Sequence, residues 1–166
     1  DYAVDAHQFQ RRKSGEAYIF HPIAVAKIVA HEIGLDAISI ASALIHDVVE
    51  DNNDHTLERI EEEFGKNISK IVDGLTKIGR LNTKGYSDVS IQAENYRKML
   101  LTLNEDVRVI IIKIADRLHN MQTLSSMSTE KQIQKASETL YIYAPLAHRI
   151  GLYNIKTQLE DLGLKY

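Results

Sequence analysis

Apolar residues recur at three- and four-residue spacing along most of this chain, the period of helices that bury one face. The pattern predicts a short helix over residues 1–11 and a loop from Arg12 to Phe20 around Ser14-Gly15. Pro22 suits the first position of a second helix, where its missing N–H does no harm. That helix carries Ile23, Val25, Ala26, Ile28, Val29 and Ile33, and Gly34 caps it. Asp36 reads as the N-cap of a third helix, with Leu35 and Ile40 as its staple, running through His46-Asp47 to about Asp51. Asn52-Asn53-Asp54 is a turn, Thr56 caps a short acidic helix ending before Gly65, and Ile68, Ile71, Val72 and Leu75 form the next stripe. The polar, glycine-containing stretch from Gly79 to Ser87 predicts a loop, and residues 88–103 a helix.

Residues 106–122 fit two descriptions. Val107, Val109, Ile110, Ile111, Ile112 and Ile114 suit a buried strand. The N-cap at Asp106 and the helical spacing of Lys113, Asp116, Arg117 and Asn120 favour a buried central helix. Ser128 then opens a long helix that Pro145 kinks, and Asn154 caps a last one towards Leu164. The fold class is all-α, with residues 1–166 forming one multi-helix domain.

Composition narrows the partners. The 166 residues are 44% apolar with a net charge of −3, and Lys and Arg are scattered apart from Arg11-Arg12-Lys13. That argues against direct nucleic-acid binding, whereas a small phosphorylated ligand needs only a few cations. No run approaches the ~20 apolar residues of a membrane span, and no secretory signal opens the chain. Cysteine is absent, which excludes disulfides and thiol catalysis and fits a cytoplasmic setting. The chain opens on Asp1 rather than methionine and reads as part of a longer protein.

The chemistry gathers at Ala43-Leu44-Ile45-His46-Asp47-Val48-Val49-Glu50-Asp51, where an imidazole and three carboxylates interrupt an apolar run. Buried ionisable groups need partners, and a shared metal ion is one. Adjacent residues on a helix point about 100° apart, so further ligands must come from other segments. His21, before Pro22, and Asp116, in the apolar 107–118 helix, qualify. Two imidazoles and two carboxylates suit Mn(II), Fe(II) or Zn(II) better than Ca(II). Blander readings stand beside these: His21 as a turn residue, Asp116 paired with Arg117 or Arg108, and Glu50-Asp51 as a solvated helix end.

The order His21…His46-Asp47…Asp116 resembles the ligand order of the HD phosphohydrolase superfamily. Four ordered motifs resemble one branch of it, the hydrolase domain of RelA/SpoT proteins. They are Arg12-Lys13-Ser14-Gly15-Glu16-Ala17-Tyr18-Ile19-Phe20-His21-Pro22, then Leu44 to Asp51, then Ala115-Asp116-Arg117-Leu118-His119-Asn120-Met121, and finally Tyr143-Ala144-Pro145-Leu146-Ala147-His148-Arg149-Ile150-Gly151. The resemblance implies hydrolysis of the 3′-pyrophosphate of ppGpp or pppGpp, dependent on one Mn(II) held by His21, His46, Asp47 and Asp116. Glu50 and Asp51 match the acidic pair that positions or deprotonates the attacking water. Arg12, Lys13 and Ser14 match the loop that holds the guanine base, and Asn120 and Thr123 match nucleotide contacts. His119 is left unassigned, and His148 and Arg149 are read as structural. Ala17 stands where many relatives carry proline, a departure that loosens the loop without removing a ligand. In the family, synthetase and regulatory domains follow the hydrolase domain. Two alternatives remain: an HD phosphohydrolase for another nucleotide, and a catalytically silent alarmone-binding domain.

Overall fold

A helix buried on every side, Val107–Gln122, forms the axis of the computed structural model of this chain, which describes residues 1–81, 96, 97, 99, 100 and 106–166. Its buried residues include Val109, Ile110, Ile112, Ile114, Ala115 and Leu118, together with Asp116 and Arg117. The β-branched run is therefore helical: Asp106 accepts a hydrogen bond from the Arg108 N–H, and burial on all faces explains the lack of an amphipathic stripe.

In chain order the elements are α1 (Tyr2–Ala6), α2 (Phe20–Lys27), α3 (Ala37–Leu44), α4 (Val48–Asp51), α5 (Leu57–Phe64) and α6 (Lys66–Leu81). The central helix is α7, followed by α8 (Thr129–Glu138), α9 (Ala144–Arg149) and α10 (Tyr153–Leu164). Among the described residues the only β-pairing is a bridge between Arg11 and Ala17, which closes the loop before α2. Helices α2, α3, α6 and α10 all pack against α7. Gly74 of α6 sits where a Cβ would meet the Val109 side chain at 2.9 Å, so these two helices approach closely there.

Several local expectations are corrected. Helix α2 starts at Phe20, so Pro22 is its third residue; the first-turn N–H groups have no helical partner, and proline fits there as well. A π-helical turn, Ile28–Ile33, extends α2 to Gly34, whose φ of +80° ends it. Another, Thr139–Tyr143, lies just ahead of Pro145, where the expected kink takes the form of a widened turn. The last helix starts at Tyr153 with Leu152 as its N-cap, so Asn154 lies inside the first turn. Gly79 is helical, because the apolar stripe of α6 continues through the buried Ile78. The rest of the expected 79–87 loop lies outside the described residues, as does most of the 88–103 segment, of which Tyr96, Arg97, Met99 and Leu100 are helical.

The largest correction concerns the third helix. Instead of running to Asp51 it stops at Leu44, turns through Ile45–Asp47, and resumes as α4. The break divides two apolar clusters: Ala43 belongs to the main core, and Ile45 and Val48 to a smaller one with Ala6, Ile60, Ile68 and Val72.

Truncating the fully buried Ile114 to alanine should destabilise the fold by roughly 2–5 kcal/mol. Asp106→Ala, which removes a cap and no core volume, should cost about 1 kcal/mol. Urea unfolding distinguishes the two magnitudes.

Candidate metal centre and nucleotide cavity

The turn that ends α3 is made by its own histidine. In a continuous helix the Ala43 carbonyl would accept the Asp47 N–H; here it accepts His46 Nδ1–H at 2.8 Å. A carbonyl only accepts, so the His46 proton on that bond sits on Nδ1. Its Nε2 is buried without a hydrogen-bond partner, 2.9 Å from Asp47 Oδ2 and 3.8 Å from Asp116 Oδ1. His21, in the first turn of α2, brings its Nε2 to 3.1 Å from Asp116 Oδ1 and 3.8 Å from Asp47 Oδ2. Ligand atoms of His21, His46 and Asp116 all lie within 4.8 Å of one another. The four expected ligands are thus brought together, and Asp47 approaches both imidazoles.

The electrostatics fit a cation in their midst. Burial alone would lower the His46 pKa, but the Asp47 and Asp116 carboxylates outweigh it and raise it to about 9. Burial would likewise raise the pKa of both carboxylates; His46 overrides this at Asp47, and Lys113 with the histidines at Asp116, so both are held well below the usual range. Two buried carboxylates therefore draw in positive charge, and a divalent ion provides it without consuming the imidazole lone pairs on protons. The orphaned His46 Nε2 and the mixed nitrogen and oxygen donor set fit a divalent metal site.

Each candidate ligand is also held from behind, as metal sites require. Tyr18 donates its hydroxyl to Asp47 Oδ2 at 2.6 Å. Lys113 reaches Asp116 Oδ2 at 3.0 Å, and Asn120 donates to Asp116 Oδ1 at 2.6 Å. Lys113, rather than the suggested Arg117 or Arg108, is thus the cation paired with Asp116: Arg117 pairs with the buried Glu138 at 2.6 Å, and Arg108 with Asp106. His21 Nδ1 lies 2.8 Å from His119 Nδ1. Tyr18, Lys113 and His119 were not assigned roles from sequence. The helical spacing of Lys113 and His119 to Asp116, three residues either side, was the available signal.

A cavity of about 550 Å³ opens beside the cluster, within the range of small-molecule sites. Arg11, Arg12 and Lys13 line one side, and Glu50 and Asp51 another. Burial, and after it the charge of Asp47, raises the Asp51 pKa; burial raises that of Glu50, with Lys113 opposing. Glu50 lies against Gly79 of α6, where an added Cβ would meet the Glu50 carboxylate and displace it. Arg12 Nη2 donates to Asn120 Oδ1 at 2.9 Å and Thr123 Oγ1 at 3.0 Å, which ties the loop to the end of α7. Ser14 is exposed at the loop tip and is not part of the lining. His148 meets the Tyr153 ring edge-on and does not line the cavity.

The HD-domain family matches residues 1–153, and the chain belongs to it. Over 163 residues, 98% of its length, the chain is 50% identical to a guanosine-3′,5′-bis(diphosphate) 3′-pyrophosphohydrolase of Vibrio cholerae. Over 163 residues it is 48% identical to the bifunctional (p)ppGpp synthase/hydrolase SpoT of Escherichia coli K12. The chain spans 23% of the length of each of these relatives. A solved structure, described as a metazoan ortholog of SpoT that hydrolyses ppGpp, aligns with a TM-score of 0.70 at 24% identity. That alignment covers 99% of this chain and 90% of the other, and it establishes the all-α fold. The resemblance drawn from the four motifs is borne out. Among the described residues no helix is long and apolar enough to cross a membrane.

A metal ion that binds only the folded chain stabilises it by about 2.7 kcal/mol at a hundredfold excess over its Kd. Thermal unfolding with and without Mn(II) should show this gain, and His46→Ala or Asp116→Ala should remove most of it. An undiminished gain in both variants would put the ion elsewhere.

Proposed function

We propose that this chain hydrolyses the 3′-pyrophosphate of ppGpp or pppGpp, releasing GDP or GTP and pyrophosphate, with Mn(II) as its single resident ion. The observation that carries the reading is the convergence of His21, His46, Asp47 and Asp116 next to an acidic pair and a basic loop around one cavity. The activity named for the relatives from Vibrio cholerae and Escherichia coli supports it.

Held by those four side chains, a divalent ion would supply Lewis acidity and lower the pKa of a water towards neutrality. The chain's own residues do the rest. Arg12 spends its guanidinium edge on Asn120 and Thr123, which leaves its planar faces free to stack on a guanine base. Leu124 and Met127 line the same cavity and give the base an apolar wall. Arg11 and Lys13 place positive charge where phosphates would enter. The raised pKa values of Glu50 and Asp51 suit groups that accept a proton from an attacking water. In the balanced reaction a water oxygen bonds to the phosphorus attached at the ribose 3′ position. The bond from that phosphorus to the 3′ oxygen breaks, and the oxygen leaves with a proton as the ribose hydroxyl. In the longer protein we place further synthetase and regulatory domains after this one, and we assign the whole to the cytoplasm.

Incubation with ppGpp and Mn(II) should yield GDP and pyrophosphate in equal amounts, and a chelator should stop it. Asp47→Ala should abolish turnover; turnover at the parental rate would overturn the assignment, and binding without any product would favour a silent sensor.

Gly79→Ala, which crowds the Glu50 carboxylate, should lower kcat by at least tenfold, about 1.4 kcal/mol in barrier, while leaving the metal-dependent gain in melting temperature intact.

A further inference from the structure

Two polar side chains behind the acidic pair take no part in the chemistry described so far. His7, which ends α1, is buried, and its Nδ1 meets Gln10 Oε1. An amide oxygen only accepts, so Nδ1 carries the proton and donates it. His7 Nε2 is then left buried without a partner. An orphaned polar atom costs stability, and an apolar side chain would fill this position without that cost. What histidine adds here is the Nδ1–H donor.

That donor settles which way the Gln10 amide points. With Oε1 turned to His7, the Gln10 amide nitrogen is left to donate, and its hydrogen bond acts on the Asp51 carboxylate. A flipped amide would set its oxygen against that carboxylate, a repulsive contact. Neighbouring contacts keep α1 and α4 in register for this arrangement. Asn52, which follows Asp51 and ends α4, donates its Nδ2 to the Ala6 carbonyl at 3.2 Å. Ala6 and Val48 share the smaller apolar cluster. The Gln10 carbonyl accepts the Tyr18 N–H at 3.0 Å, and the His7 and Tyr18 ring centroids lie 4.8 Å apart. Asp51 lines the cavity, whereas His7 and Gln10 do not, so any effect they have on a bound nucleotide must pass through such a neighbour.

We propose that His7 and Gln10 are positioning residues: His7 fixes the orientation of the Gln10 amide, which in turn aims the Asp51 carboxylate into the cavity. This rests on the functional reading above, in which the acidic pair accepts a proton from the attacking water. General-base catalysis contributes typically about 10²- to 10⁴-fold, and a group misplaced by about 1 Å can forfeit about 10²-fold. Losing the aim of one carboxylate of the pair should therefore cost kcat at least about tenfold.

The test follows steady-state hydrolysis of ppGpp by the whole chain with Mn(II), together with thermal unfolding with and without the ion. Gln10→Met keeps the length of the side chain and removes its donor. It should lower kcat at least about tenfold, with KM and the Mn(II)-dependent gain in melting temperature unchanged. His7→Leu should do the same. His7→Asn, whose side-chain N–H can donate where Nδ1–H does, should keep most of the parental kcat. A merely structural role would move both His7 variants together, so equal loss in both overturns the proposal. Parental kcat in Gln10→Met overturns it too, and so does a loss that appears in KM or in the Mn(II) gain instead of kcat. Gln10 is only partly buried and its replacement removes no core volume, so this variant decides the matter even if His7→Leu fails to fold. Each of these outcomes leaves the functional reading intact, whereas a parent that does not turn over ppGpp overturns that reading and the proposal with it.

Discussion

One hydrogen bond, from His46 Nδ1 to the carbonyl of Ala43, sets the geometry on which the site depends. It takes the acceptor that would have continued the helix, so the chain turns at Ile45–Asp47 and restarts at Val48. Without the turn, His46 and Asp47 would point about 100° apart along one helix. With it, His46 Nε2 and Asp47 Oδ2 come within 2.9 Å, and α4 then carries Glu50 and Asp51 to the cavity wall. The same turn lets Ile45 and Val48 leave the main core for the smaller one, so the packing of both clusters favours it.

Around this turn the protein tolerates charge where apolar packing would be cheaper. Asp116 is buried in the middle of α7, and Lys113 answers only one of its oxygens. Against the cost of burial, Asp47 and after it Asp116 lift His46 to about 9. A cluster arranged only for stability would pair such groups completely or replace them with apolar side chains. Instead the partners orient lone pairs inward: Tyr18 on Asp47, Asn120 and Lys113 on Asp116, His119 on His21. The division of labour is consistent with a site whose centre is reserved for a cation.

Much of this was legible in the sequence because it depends on local signals. The caps at Asp36, Thr56 and Asp106 form as their residue types predict, and His21, His46 and Asp116, far apart in the sequence, bring ligand atoms within 4.8 Å of one another. Features set by tertiary contact were less legible. The α3–α4 break has no proline or glycine to mark it, since the breaker is a side chain that also serves as a candidate ligand. Gly79 looked like a loop residue, yet it is a helical position kept bare for the Glu50 carboxylate. Helix α7 resembled a strand because burial on all faces erases helical periodicity. His119 carried only its three-residue spacing from Asp116, because its contact with His21 Nδ1 is made across the fold.

Anomalous diffraction from a crystal of the chain grown with Mn(II) tests the central claim most directly. The account predicts a single strong peak enclosed by the His21 Nε2, His46 Nε2, Asp47 and Asp116 side-chain atoms, with His46 Nδ1 still on the Ala43 carbonyl. A peak at any other group of residues, or full occupancy with His46 turned away from it, would contradict the account.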